Sequence, residues 1–174
     1  MTKAKGTSGP RGPKGPRTVT HVDLQGRVKM VDVGGKAATT RVAVARGHIR
    51  MSAHARNVIR GGTLSKGDPL QAARIAGIMA AKRTADLIPL CHPILLSHID
   101  VQLRARRTGY EIEARVSTTA QTGVEMEALT AVAAAALTVY DMVKAVDRTM
   151  MIGEIRLVNK TGGRSGSYRA REPS

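Results

Sequence analysis

The sequence predicts an α+β fold, an antiparallel sheet covered by helices. Three observations lead there. From Arg41 onward, stretches of period-two alternation and of helical spacing follow in the order strand, helix, strand, strand, helix, strand. Arg107-Thr108-Gly109 separates two alternating runs, as a hairpin turn does. The stretch Thr122–Lys144, TGVEMEALTAVAAAALTVYDMVK, is almost wholly small and apolar between Ala128 and Val139, as a buried helix is.

Each element has its own local reason. Arg41–Met51 alternates through Val42 and Val44 and reads as a strand. Ser52–Arg60 reads as a short helix stopped by Gly61-Gly62. Asp68 is a good N-cap and Pro69 suits the first helical position, so a helix opens there and runs to about Ala85. Pro89 and Pro93 bracket Leu90-Cys91-His92, which must be an ordered loop or an extended crossing. Leu95–Arg106 and Tyr110–Ser117 form the two arms of the hairpin. Thr122 followed by Glu125 predicts a capping box at the start of the long helix. Ile152–Val158 is the last strand, and the glycine-rich segment from Lys160 to Gly166 a flexible basic loop. Together these give the split βαβ, ferredoxin-like pattern. Two helices cover one sheet face, and a subunit interface is the natural cover for the other.

Residues 1–17 hold five Lys or Arg, no acid and a Pro-Gly rhythm, which predicts a disordered basic tail. Val28–Val33 alternates briefly before Gly34-Gly35 and reads as a short strand or an extended arm. The expected organisation is a tail over 1–17, one domain over 18–170 and a C-terminal tail over 171–174.

The chain has 174 residues and 42% hydrophobic residues, but no Trp, no Phe and only three Tyr. Its core must therefore be aliphatic. A net charge of +15, of which the tail supplies +5, points to an anionic partner. The single Cys91 excludes an intrachain disulfide and suits a reducing compartment. No apolar run reaches spanning length and no signal peptide is expected before the domain, so a cytoplasmic location is expected. His and Cys are scattered without ligand spacing, so no metal site is expected.

The long helix carries chemistry at both tips. Glu125 and Glu127 open it, and Asp141 and Lys144, three apart on one face, close it. Solvated helix ends explain both tips equally well, since acids suit a first turn and Lys a last one. The apolar context of Ala135, Ala136, Val139 and Met142 favours a semi-buried acid–base pair at Asp141 and Lys144. Glu127 and Asp141 lie 14 positions apart, roughly 21 Å along a helix. One pocket cannot use both tips of one rod. A site that needs both must take one from a second subunit, most simply across a two-fold axis.

Elsewhere, Lys66 stands just before a helix N-terminus, either an anion site or a surface lysine. His92, rigidly held among Ile88, Leu90, Ile94 and Leu95, is either a general acid–base or phosphate donor, or a satisfied core histidine. Cys91 reads as a small buried hydrophobe, because nothing nearby marks it as activated. Lys160 and Arg164 sit among glycines that could wrap phosphates, or form a solvated basic segment.

Several segments together resemble the MoaC family: Met30-Val31-Asp32-Val33, Lys66-Gly67-Asp68, Leu87-Ile88-Pro89-Leu90-Cys91-His92-Pro93, Thr122-Gly123-Val124-Glu125-Met126-Glu127 and Tyr140-Asp141-Met142-Val143-Lys144. The resemblance runs from about Thr20 to Tyr168. It implies a ferredoxin-like enzyme assembled as a hexamer, a trimer of dimers with the site at the dimer interface. The implied activity is that of a phosphorus–oxygen lyase of molybdenum cofactor biosynthesis. It converts 3′,8-cyclo-7,8-dihydroguanosine 5′-triphosphate to cyclic pyranopterin monophosphate and diphosphate. By the same resemblance Asp141 is the catalytic acid–base, Lys144 an essential lysine and Lys66 a further active-site lysine. Leu90, Cys91, His92, Met126 and Glu127 fall in substrate-contacting segments, with Glu125 beside them. Lys36, Arg41, Lys160 and Arg164 are further candidates for holding phosphates. No resident cofactor is implied, although Mg²⁺ can accompany a triphosphate. Gln121 departs from the basic residue expected there, and Gly35 from a small polar one.

The rival reading is a nucleic-acid-binding module, since RNA-recognition domains share this fold outline. Such domains stack bases on sheet aromatics, and the hairpin strands here carry only Tyr110. No nucleic-acid or membrane partner is therefore expected.

Overall fold

A computed structural model describes residues 26–171. The expected basic tail over 1–17 and the last residues of the chain lie outside it. The chain divides into a unit ending at Val31 and a unit from Asp32 onward. Among the described residues of the first unit there is an isolated bridge at Val28 and no strand.

The second unit is α+β. Its elements are β1 (Thr39–Arg50), α1 (Ala53–Gly61), α2 (Pro69–Lys82), α3 (Thr84–Leu87), β2 (His98–Arg106), β3 (Gly109–Ala120), α4 (Glu125–Val143), β4 (Met151–Thr161) and β5 (Tyr168–Arg169). The five strands form one sheet in the order β2-β3-β1-β4-β5, every neighbouring pair antiparallel. The first four strands give the ferredoxin-like order. The two-residue β5, which the alternation does not announce, extends the β4 edge and falls just beyond the expected basic loop.

Local signals explain most boundaries. Ser52 caps α1 by accepting from Ala55 N, and Gly62 ends it in the left-handed region at φ 63°. Asp68 accepts from Leu70 N at 2.8 Å and Gln71 N at 3.2 Å, with Pro69 in the first turn. The expected single helix to Ala85 breaks at Arg83, and α3 follows. Thr84 is the reason: its buried hydroxyl donates to Ala81 O at 3.0 Å and Ala80 O at 3.3 Å, bending the chain. The expected capping box does not form. Val124, not Thr122, is the N-cap of α4, and no side chain caps it. The Glu125 carboxylate instead lies over Gly123, where a Cβ would have no room.

The core is aliphatic. Ala43, Ala45 and Ile49 of β1, Val101 of β2 and Ile112, Ala114 and Val116 of β3 are fully buried under the helices. α4 lies over β1, β3 and β4, and α2 packs beside it over β2. Small residues set that closeness. A Cβ on Gly77 of α2 would stand 2.9 Å from Ala131 O of α4, so glycine lets the two backbones approach. Among the described residues α4 alone has the length and hydropathy of a membrane span, contrary to the reading that no run is long enough. Its Ala131, Val132, Ala135, Ala136 and Val139 face the protein interior, as in a core helix.

The opposite sheet face is charged rather than apolar. Arg46 pairs with Glu113 at 2.6 Å, Arg106 with Glu111 at 2.7 Å, and Arg50 with Glu154 at 2.7 Å. These partly exposed pairs contribute at most about 1 kcal/mol each. Tyr110 points into the core at 4% exposure, so it offers no stacking platform to a nucleobase.

Asp147 joins the end of α4 to the start of α1. It accepts from Ser52 N at 2.8 Å, Thr149 N at 2.9 Å and Thr149 Oγ1 at 2.7 Å. The Ser52 amide first, then the Thr149 hydroxyl, hold its carboxyl well below the usual range. A depressed native value stabilises the fold above the unfolded aspartate value of about 3.9, and that contribution is lost as pH falls below it. The melting temperature of the wild type should therefore exceed that of Asp147→Asn by a constant margin at neutral pH. The margin should shrink below about pH 4, as read by thermal denaturation across pH.

Candidate active site

The expected site residues gather at the two tips of α4. At the C-terminal tip, Asp141 receives Lys144 Nζ at 2.6 Å on Oδ1 and Lys66 Nζ at 3.2 Å on Oδ2. Lys66 Nζ also donates to Asp141 O at 3.3 Å. Lys66 reaches this point because Gly67, at φ 85°, turns the chain immediately before the Asp68 cap of α2. α2 packs along α4, and that brings two residues 75 positions apart into contact. The semi-buried pair expected from the apolar context is not found: side-chain exposure is 57% for Asp141 and 53% for Lys144. The apolar neighbours face the sheet while the pair projects beyond the helix end. Hydrogen bonds from Lys144 first, and from Lys66 next, hold the Asp141 carboxyl below the ordinary aspartate range. It is thus held as a carboxylate, clasped by two cations that can turn to an anionic ligand.

The N-terminal tip has the opposite character. Glu127 is 2% exposed. Burial raises its pKa, with its own backbone N–H and Cys91 opposing the shift. Cys91 Sγ donates to Glu127 Oε1 at 3.5 Å, while Oε2 is buried without a partner among the described residues. A buried carboxyl with one unsatisfied oxygen is a ready recognition group for a polar ligand edge. Leu90, Cys91 and His92 lie half-buried on the loop between α3 and β2. The loop is pinned by a turn from Cys91 N to Ile88 O at 3.0 Å and by Ser97 N to Ser117 O at 2.9 Å. His92 lines a cavity of about 490 Å³ with Val33, Leu95, Thr119, Gln121 and Thr122. Met126 is exposed beside Glu127.

Cations reach this tip too. Lys160 Nζ stands 3.5 Å from Glu125 Oε1 and donates to Ser165 Oγ. Arg41 donates to Ala120 O at 2.9 Å and to Gln121 O at 3.0 Å. Lys160 and Arg41 are thus anchored near the first turn of α4, whereas Lys36 and Arg164 are exposed. Ser165 was not singled out by any motif, and only the fold of the chain after β4 places it against Lys160. Among the described residues no group of three or more His, Cys, Asp and Glu could hold a metal ion.

Burial first, then the charge of Glu127, push the Cys91 thiol up to about 11. It is a protonated donor rather than a nucleophile at neutral pH. Its alkylation by iodoacetamide at pH 8 should run roughly a hundredfold slower than that of a free thiol. Glu127→Gln should accelerate that alkylation, as measured by mass spectrometry over time, because it removes the neighbouring negative charge.

The family model of the MoaC family matches residues 30–163, which include both tips of α4, Lys66 and the Cys91 loop. The chain belongs to the MoaC family. Within that family it is similar to the cyclic pyranopterin monophosphate synthase of Pelotomaculum thermopropionicum, 59% identical over 86% of this chain and 89% of the relative. The protein of the same name from Roseiflexus castenholzii is 60% identical over 85% of this chain and 95% of its own length. That of Novosphingobium aromaticivorans is 57% identical over 88% and 98%. The alignments thus take in nearly the full length of each of these MoaC relatives.

Proposed function

We propose that this chain is a cyclic pyranopterin monophosphate synthase of molybdenum cofactor biosynthesis. Its substrate on this reading is 3′,8-cyclo-7,8-dihydroguanosine 5′-triphosphate, and its products are cyclic pyranopterin monophosphate and diphosphate. The observation that carries the proposal is Asp141, a carboxylate clasped by Lys66 and Lys144. The chemistry requires proton transfers while the purine becomes a pterin, and a phosphoryl transfer. In the second, a ribose hydroxyl attacks the α-phosphorus. An O–P bond forms, the bond to the β-phosphate bridging oxygen breaks, and diphosphate leaves with the electron pair. The hydroxyl proton passes to a base.

Asp141 is that base on this reading: it is ionised at neutral pH and stands between the two lysines that would hold the phosphates. Lys66 and Lys144 neutralise the charge that grows on the transferring phosphoryl group and the departing diphosphate. Glu127 and His92 hold the purine-derived or sugar part, with Leu90, Cys91, Glu125 and Met126 completing that pocket. Lys160 and Arg41 serve the phosphates. The two tips of α4 act in one site only if two chains meet, so the working unit is a dimer sharing its sites, within a hexamer built as a trimer of dimers. The reading invokes no resident cofactor, and any Mg²⁺ arrives with the triphosphate. It places the enzyme in the cytoplasm, without nucleic-acid or membrane partners. Incubation of the purified chain with the cyclised nucleotide should release one diphosphate per substrate consumed. Absence of diphosphate from folded, oligomeric protein refutes the assignment.

A further inference from the structure

Lys66, Lys144, Lys160 and Arg41 account for only part of the positive charge. A second concentration of cations lies where α1 meets the tip of the β2–β3 hairpin. Arg56 and Arg60 are four apart on α1 and share a face. Arg106 ends β2 and Arg107 opens the turn. With Ala105 and Tyr110 these four arginines line a cavity of about 340 Å³ that has no carboxylate in its lining. Its size falls within the range of small-ligand pockets.

The frame that holds the arginines is rigid. Met51 N donates to Thr108 O at 2.9 Å, which fixes the turn against the start of α1. Gly109 then lies so close to Ile49 O that no Cβ fits. Tyr110 is buried between these parts. Burial raises its phenol pKa; the charges of Arg60 and Arg56 oppose that shift, and the charge of Asp68 adds to it.

Their pairing is incomplete. Arg106 is matched by Glu111 at 2.7 Å, and Arg60 donates to Asn57 Oδ1 at 2.5 Å. The guanidinia of Arg56 and Arg107 have no hydrogen bond or ion pair among the described residues. Arg56 Nε is buried as well as unpartnered. A buried N–H without a protein acceptor is costly, and an anion in the cavity would supply one. Guanidinium forks match phosphate oxygens two at a time. A nucleic-acid backbone calls for cations spaced along a groove, whereas these four surround a single cavity.

We propose that the cavity bounded by Arg56, Arg60, Arg106 and Arg107 binds a small oligophosphate anion, at a site separate from the one built on Asp141. None of its lining residues belongs to either tip of α4. The probe is inorganic triphosphate, titrated calorimetrically into the full-length oligomer at constant ionic strength. Lys144→Ala serves as background, so that binding at the Asp141 cluster is weakened. About one triphosphate per chain is expected there, and Arg56→Ser/Arg107→Ser should weaken it roughly 10- to 100-fold. In the otherwise wild-type chain the same double substitution should leave diphosphate release unchanged within about twofold, since these arginines touch no reacting group. If the double variant melts early, Arg107→Ser alone, in the turn, gives the same reading with a smaller loss. Four results overturn the proposal. They are unchanged affinity in the arginine variants, equal competition by sulfate, turnover that falls in step with binding, and tighter, steeply salt-dependent capture of random-sequence RNA that displaces the triphosphate.

Discussion

Asp141→Asn will lower diphosphate release by about 10²- to 10⁴-fold, the usual contribution of a positioned general base, without unfolding the protein. The side chain is more than half exposed and its hydrogen-bond partners are Lys66 and Lys144, both equally exposed. Removing its charge therefore disturbs no packed core. It leaves two ammonium groups facing each other without the carboxylate that gathered them, so both positioning and proton transfer fail together. Lys144→Ala should lose a comparable factor through the phosphoryl step, and Lys66→Ala less, because its contact with Asp141 is longer, 3.2 Å against 2.6 Å. The pH profile carries a second check. Asp141 acts when ionised and its pKa is lowered, so kcat/KM should hold through neutral pH and fall only below the ordinary aspartate range. Single-turnover diphosphate assays on folded oligomers, verified by circular dichroism and light scattering, measure both. Near-normal rates in Asp141→Asn would reject its role as base.

Mixed oligomers made from Asp141→Asn subunits and Glu127→Gln subunits will regain activity that neither variant shows alone. The reason is the length of α4, which separates the two tips by roughly 21 Å. If each site takes Glu127 from one chain and Asp141 from its two-fold mate, a heterodimer assembles one site with both groups intact and one with neither. Random assortment from an equal mixture makes about half of the dimers hybrid, so activity should return to about one quarter of the wild-type value. A site contained within a single chain predicts none, because every chain in the mixture lacks one group. The experiment is denaturation and co-refolding of the two variants, followed by the diphosphate assay. Failure to recover activity despite demonstrated hybrid oligomers would sink the shared-site reading.

Elements whose signals are local could be read directly from residues. Asp68-Pro69 announces the start of α2, Ser52 and Gly62 bracket α1, and the alternation on either side of Arg107-Thr108 announces β2 and β3, because caps and pleats act over a few residues. The errors also have physical causes. Thr122 and Glu125 have capping-box spacing, yet the Glu125 carboxylate folds over Gly123 and lies near Lys160, a cation delivered by a different element. The break at Arg83 depends on where the Thr84 hydroxyl finds acceptors. Only two residues pair in β5, too few for any period to register.

By itself the sequence determined the kinds and order of the main elements and hence the order of the first four strands, the aliphatic character of the core, and the residue types able to move protons and hold phosphates. Those follow from backbone preferences and side-chain chemistry, which are carried by short stretches of chain. Tertiary structure alone decided that Lys66 meets Asp141, that this cluster is open to water while Glu127 is sealed, and that four arginines from α1 and the hairpin close around one cavity. Such contacts join residues far apart in the chain, and solvent access depends on what every other element covers. Neither quantity is written in any local window of residues.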